Sequence, residues 1–227
     1  MSAQPADPAG EAPVGPPADP AAVDALLSAA HPDARTELDH RDAFELLVAT
    51  MLSAQTTDVR VNAVTPELFS RWPDAAALAG ADEAELTAIL APLGMGPTRA
   101  RRAVGLARGL LDRHGGEVPD DQAALEALPG VGRKTAHVVR GTWFGHSLLA
   151  VDTHVGRLAR RLGWTASTDP RAVEEDVIAA VGGEPINLTA LSLRLILHGR
   201  RVCLARAPRC SRCVLAEICP SAPGVAA

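Results

Sequence analysis

From Phe44 to Leu52 the chain reads Phe-Glu-Leu-Leu-Val-Ala-Thr-Met-Leu, apolar on nearly every side of a helical wheel. A helix of that make-up is expected to be buried on most faces. Asp39 or Asp42 can cap its start, because a short carboxylate accepts the unpaired N–H groups of a first turn. Farther on, Val104, Leu106, Ala107, Leu110 and Leu111 recur at helical spacing and predict a long helix over 98–113. The same reading predicts helices over 21–30, 82–90, 122–128 and 171–181, one that Asp58 caps and that runs to about Trp72, and a short one after Pro73-Asp74. Others open at Arg133, at Asp152 and at Pro185, the last running through His198. Pro92-Leu-Gly-Met-Gly-Pro97 and His114-Gly-Gly-Glu-Val-Pro119 read as loops. Strand-like alternation is scarce, so the expected fold is all-α, roughly ten short helices with no convincing strand.

Composition sharpens this at the ends. Residues 1–20 are Pro, Ala, Gly and Asp, with prolines at 5, 8, 13, 16, 17 and 20, and are expected to form a disordered tail. Apolar residues make up 47% of 227, which suffices for a core. No basic region followed by an apolar run opens the chain, and no apolar segment is long enough to span a bilayer. The expectation is a cytoplasmic protein without a membrane partner, nucleoid-associated if bacterial.

A net charge of −5 argues against a nucleic-acid ligand until its distribution is considered. Residues 1–42 hold eight acids and two bases, so the remainder is near neutral. Within it, residues 127–161 carry six bases against one acid, and residues 194–212 carry six arginines and no acid. Two basic segments on a neutral body suit a polyanion, with ordinary solvated arginine faces as the plainer reading.

One of those segments contains Leu128-Pro-Gly-Val-Gly-Arg-Lys-Thr-Ala136. Two apolar helical segments joined by Pro129-Gly130-Val131-Gly132 have the form of a helix–hairpin–helix. Gly130 and Gly132 permit backbone angles closed to other residues, and the N–H groups of the next helix then face an anion such as a DNA phosphate. An ordinary helix–helix turn is the plainer reading.

Lys134 follows at once, and it is the only lysine in the chain. An amine can lose its proton and attack carbon, which a guanidinium effectively cannot. A first-turn position and partial burial are both expected to favour the neutral amine. That form is the one needed for a Schiff base, although most lysines only meet solvent or phosphate. Asp152, in Val-Asp-Thr-His154, reads as an N-cap. It is also a carboxylate able to stabilise positive charge on a sugar or to accept a proton from Lys134.

All four cysteines fall within 17 residues, as Cys203-x6-Cys210-x2-Cys213-x5-Cys219. Such clustering argues for metal over disulfides. Four thiolates suit zinc or an iron–sulfur cluster. Zinc ligands usually come as two close pairs, and only one pair here is close, which tilts the reading toward a cluster. Its role is expected to be structural, folding a short loop that carries Arg206, Arg209 and Arg212.

Taken together, the chain resembles the endonuclease III family of helix–hairpin–helix DNA glycosylase/lyases. The matching segments are Leu52-Ser-Ala-Gln-Thr-Thr-Asp58, Leu125 to Ala136, Ala150-Val-Asp-Thr-His154, Leu195-Ile-Leu-His-Gly-Arg200 and the cysteine pattern. The resemblance implies two helical domains. A six-helix barrel domain with the helix–hairpin–helix would span 36–146. An iron–sulfur cluster domain would combine 21–35 with 147–227, so that both ends of the chain build it.

It implies a [4Fe–4S] cluster on Cys203, Cys210, Cys213 and Cys219, with zinc as the alternative. It implies action on double-stranded DNA that contains damaged pyrimidines or abasic sites, and the protein is expected to be a monomer. Lys134 would displace an oxidised pyrimidine and cut the strand by β-elimination, assisted by Asp152. Gln55, Met95, Gly130, Gly132, Arg133 and His154 would meet DNA, Gln55 by filling the gap left by a flipped base and Met95 as an apolar wedge. Two departures stand out. His137 replaces an expected asparagine, and the glycines of Gly94-Met-Gly-Pro97 are expected to loosen the wedge.

Two other functions compete. A monofunctional glycosylase of the adenine–guanine mismatch type shares the fold but lacks the lysine. A silent DNA-binding module needs neither the amine nor a carboxylate, which would repel phosphate.

Overall fold

Most helices of this chain begin where a short polar side chain accepts the N–H groups that a first turn leaves unpaired. In a computed structural model, which describes residues 15–223, Asp19 caps α1 (Pro20–Ala30) and Asp42 caps α2 (Ala43–Leu52). Thr57 caps α3 (Asp58–Arg71), Asp74 caps α4 (Ala75–Ala79) and Asp82 caps α5 (Glu83–Leu90). A 3-10 turn (Ala91–Leu93) leads into α6 (Gly96–His114), and Asp121 caps α7 (Gln122–Glu126). α8 (Arg133–Thr142) follows, and Asp152 caps α9 (Thr153–Arg161). Asp169 caps α10 (Pro170–Val181) and Asn187 caps α11 (Leu188–Arg201), before a final 3-10 turn at Cys210–Arg212.

Among the described residues there is no strand, and no helix is long and apolar enough to cross a membrane. Three boundaries differ from expectation. Thr57, one residue before Asp58, takes the N–H of Arg60 and so caps α3. α6 begins at Gly96, because Pro97 has no N–H to leave unpaired and fits a first turn. α11 waits for the side chain of Asn187 instead of starting at Pro185.

The chain divides into two units, Thr36–Leu148 and Met1–Arg35 with Leu149–Ala227. In the first, α2 is the central element. Every residue from Phe44 to Leu52 is buried, and α2 packs against α3, α6 and α8. α4 and α5 lie along α6, and α7 lies along α8. Leu46, Leu47, Leu68, Leu90, Leu106 and Leu110 are fully enclosed, each worth about 1.5–3 kcal/mol of burial. Glu45 is the buried charge on α2, held by Arg41 through its main-chain N–H at 2.7 Å and its Nε at 2.8 Å.

The second unit has its own core, in which Val23 and Leu27 of α1 meet Leu158 of α9 and Leu191 and Leu195 of α11. Arg194 joins α11 to Asp24 of α1 at 2.5 Å. Residues 15–20 belong to this unit and are ordered, unlike the tail expected there. The Ala18 N–H donates to Leu162 O at 2.9 Å, and Trp164 Nε1 donates to Ala18 O at 2.7 Å. With both polar groups paired and Ala18 buried, this stretch is tied down. The rest of the expected tail, residues 1–14, lies outside the described residues.

Candidate active site and thiol cluster

The glycine turn joins α7 to α8 through a Val131 N–H to Leu128 O bond of 3.1 Å. Gly130 has φ +81°, and a Cβ there would meet Met51 Cγ at 3.1 Å and Arg102 Cβ at 3.4 Å. Angle and space both demand glycine. Gly132 differs from expectation, since its φ of −111° is open to any residue. A Cβ on it would meet nothing within 4 Å. What Gly132 provides is an N-cap that has no side chain, so α8 starts without a side-chain cap bond from that position. Such a helix end attracts anions.

Arg133 and Lys134 are exposed on that first turn. The partial burial expected to favour the neutral amine of Lys134 is therefore not found. His137, one turn on, faces inward and is buried.

In the other unit, Asp152 performs the expected capping. Its Oδ1 accepts from His154 N and Val155 N, each at 2.8 Å. His154 is half-buried, and its Nδ1 lies 3.1 Å from Arg157 Nη2. Burial lowers its pKa, against the pull of Asp152. A Cβ at Gly199 would meet His154 Cβ at 2.9 Å, so the absence of a side chain there lets α11 approach α9.

Gln55 and Met95 are both exposed and both left-handed, with φ of 61° and 53°. The two glycines beside Met95 differ in their surroundings. Gly94 has φ +75° and its carbonyl accepts from Arg99 Nε at 2.8 Å. Gly96 is buried, and a Cβ there would meet Thr87 O at 3.0 Å. Arg99 is the residue that sequence reasoning missed. It is 3% exposed and shares one face of α6 with Ala103, Leu106 and Leu110. An arginine opening an apolar stripe was the available signal.

The four cysteines are half-buried free thiols. Burial raises the Cys213 thiol, and Cys203, Cys219 and Cys210 raise it further. Burial likewise raises Cys219. A cationic centre bound among these thiols would favour their thiolate forms.

The surroundings hold the sulfurs in place. Arg161 Nη1 donates to Cys203 Sγ at 3.1 Å and to Leu204 O at 2.8 Å. Arg157 Nε donates to Cys203 O at 3.1 Å. His198 is enclosed, with Nε2 3.2 Å from Cys213 Sγ and Nδ1 3.2 Å from His31 Nε2. Burial, then His31, lowers the pKa of His198 to about 4. A donor set of four soft sulfurs, with an Arg161 N–H donated to one and the His198 ring beside another, fits an iron–sulfur cluster. Among the described residues, no three His, Cys, Asp or Glu side chains are grouped to hold a single metal ion.

Helices paired through a glycine turn that opens on an exposed lysine define a class, and the comparisons agree with it. The family model described as HhH-GPD superfamily base excision DNA repair protein matches residues 48–180. Endonuclease III of Synechocystis is 46% identical over 200 residues, covering 87% of this chain and 90% of the relative. Endonuclease III of Escherichia coli K12 is 41% identical over 189 residues, covering 83% and 89%. A solved non-covalent endonuclease III–DNA complex matches with TM-score 0.82 at 39% identity, over 88% of this chain and 93% of that one. A trapped covalent endonuclease III–DNA intermediate matches with TM-score 0.82 at 38% identity, over 88% and 94%. A thermostable thymine-DNA glycosylase, at 24% identity and TM-score 0.78, shares the fold.

The chain belongs to the endonuclease III family. It is an enzyme, a DNA glycosylase and abasic-site lyase.

Proposed function

We propose that this protein removes oxidised pyrimidines from double-stranded DNA and then nicks the strand through a Schiff base on Lys134. The observation that carries this reading is the chain's one lysine, exposed on the first turn of α8 immediately after the glycine turn. The start of α8, whose N-cap has no side chain, supports it, since a backbone phosphate held there would bring a nucleotide to the amine. The trapped covalent intermediate solved for an endonuclease III supports covalent chemistry.

In this reading a damaged base leaves the stack at a cost of a few kcal/mol, less than for an intact pair. The neutral Lys134 Nζ attacks C1′. The glycosidic bond breaks, and the base departs with the electron pair and takes up a proton. The sugar ring opens to a C1′ imine. A proton leaves C2′, the C3′–O bond breaks and the phosphate on the 3′ side departs. Water hydrolyses the imine and restores the amine. Asp152 stabilises the positive charge on the sugar or relays the Lys134 proton.

Gln55 fills the vacated space, Met95 parts the stack, and Gly130, Gly132 and Arg133 hold phosphate. His154 contributes where the DNA bends. Cys203, Cys210, Cys213 and Cys219 would hold a [4Fe–4S] cluster, which when bound supplies a rigid fold for the arginine-bearing loop. In this reading the chain comprises a barrel domain and a cluster domain, the protein acts as a monomer, and it resides with DNA in the cytoplasm.

Borohydride tests the reading. With duplex containing an oxidised pyrimidine or an abasic site, it should trap a covalent adduct that disappears in Lys134→Gln. Base release without an adduct would favour the monofunctional mismatch type. Tight binding with neither would leave only a binding module.

A further inference from the structure

Gln55 and Met95 sit in different loops, yet each has the same unusual feature. Both are non-glycine residues held in the left-handed region, and both are exposed. L side chains adopt that conformation at a cost, and it persists where the surroundings impose it. The surroundings here are one guanidinium. Arg99 Nη2 donates to Ala54 O at 2.7 Å, and Arg99 Nε donates to Gly94 O at 2.8 Å. Nη1 donates to Leu52 O, and Nη2 lies 3.5 Å from Leu93 O.

The bonds fall on telling atoms. Ala54 O belongs to the peptide that enters Gln55, and Gly94 O to the peptide that enters Met95. The orientation of an entering peptide fixes φ of the residue that follows. A planar fork that grips both carbonyls therefore sets both left-handed residues together. Because the fork is rigid, neither loop can relax without disturbing the other. The four acceptors are main-chain carbonyls, and the guanidinium is buried, so its contacts are internal to the protein.

We propose that Arg99 is a positioning residue that locks Gln55 and Met95 into a single two-pronged edge for separating stacked bases. The proposal rests on the reading that this face meets duplex DNA. An exposed methionine side chain can part a base step, and a glutamine amide can replace a base's hydrogen bonds. Both tasks require side chains that do not yield under load. A coupled pair also enters the duplex together, so that a gap is opened and filled in one motion.

Two substrates separate this from a general structural role. A duplex with a central oxidised pyrimidine requires the edge, whereas a single strand with a preformed abasic site has no stack to part. In Arg99→Met, base release from the duplex under enzyme excess should fall on the order of tenfold or more, while borohydride trapping on the single strand stays within about twofold. A 2-aminopurine beside the lesion should lose its rise in fluorescence on binding. Arg99→Lys, with three donors and no planar fork, should recover part of the duplex rate. Equal losses on both substrates, or unchanged duplex rate and fluorescence, would overturn the proposal. If Arg99→Met does not fold, Arg99→Gln carries the same two readouts to the same decision. Wild-type protein that traps neither substrate would instead sink the lyase reading.

Discussion

The two units reach order by different means. Thr36–Leu148 is continuous in sequence and closes around α2, whose residues from Phe44 to Leu52 are all buried. The other unit joins residues 15–35 to a segment that begins more than a hundred residues later. Its smaller apolar core is supplemented by polar bonds. Arg157 and Arg161 bind the carbonyls of the cysteine loop, Trp164 binds Ala18, and His198 abuts a thiol. Both units use buried or half-buried guanidinium groups on main-chain carbonyls, Arg99 in one and Arg157 in the other. In the first, that bond shapes loops on an already packed body. In the second, such bonds and the thiols hold the chain's last irregular stretch. Hydrophobic order is robust to single polar changes, and polar order is sensitive to pH and to its ligands.

The sharpest break leaves both cores intact. Lys134→Gln should lower strand cleavage by on the order of a thousandfold or more, with helicity and melting unchanged, since the side chain is exposed. Next is Cys210→Ser. It should remove visible absorbance and iron, and amide exchange should rise in residues 149–223 while 36–148 stays protected. A colourless wild-type protein with one zinc would replace the cluster in this comparison.

Leu47→Ala should cost about 2–5 kcal/mol in urea unfolding, because it empties a site with no exposed surface, and the loss should fall on the first unit. The smallest effect is that of acid. His31, His154 and His198, all in the second unit, have lowered pKa values, so the unfolded chain binds more protons below 6.5. Stability of that unit should be complete above about pH 6.5 and decline as pH falls toward 4. In the first unit, desolvation works to raise the Asp120 carboxyl, but hydrogen bonds from His146 and Arg140 overcome it and lower its pKa. That contribution is present above 3.8 and lost only below it. Amide exchange at pH 7, 5.5 and 4 would show which unit yields first.

Much of this was legible in residue order. The apolar run of α2, the aspartate caps and the Leu-Pro-Gly-Val-Gly turn are local features, and local chemistry decides them. The lone lysine and the spaced cysteines were equally plain, because each is a property of composition. Less legible were Gly132, whose ordinary backbone angle belies its glycine, and the loop around Met95, where Gly96 is buried. Arg99 was missed altogether.

The sequence by itself determined the helical class, most helix starts, the nucleophile candidate and the thiol set, since these depend on spacing and on the chemistry of single side chains. Only the tertiary structure decided that Lys134 is exposed, that His137 faces inward and that residues 15–20 are seated. It also decided that one guanidinium joins residues 52–54 to residues 93–94. These are facts of burial and of carbonyls meeting across long stretches of chain. Periodicity has no way to state them, because it assigns a residue to a face without saying what covers that face.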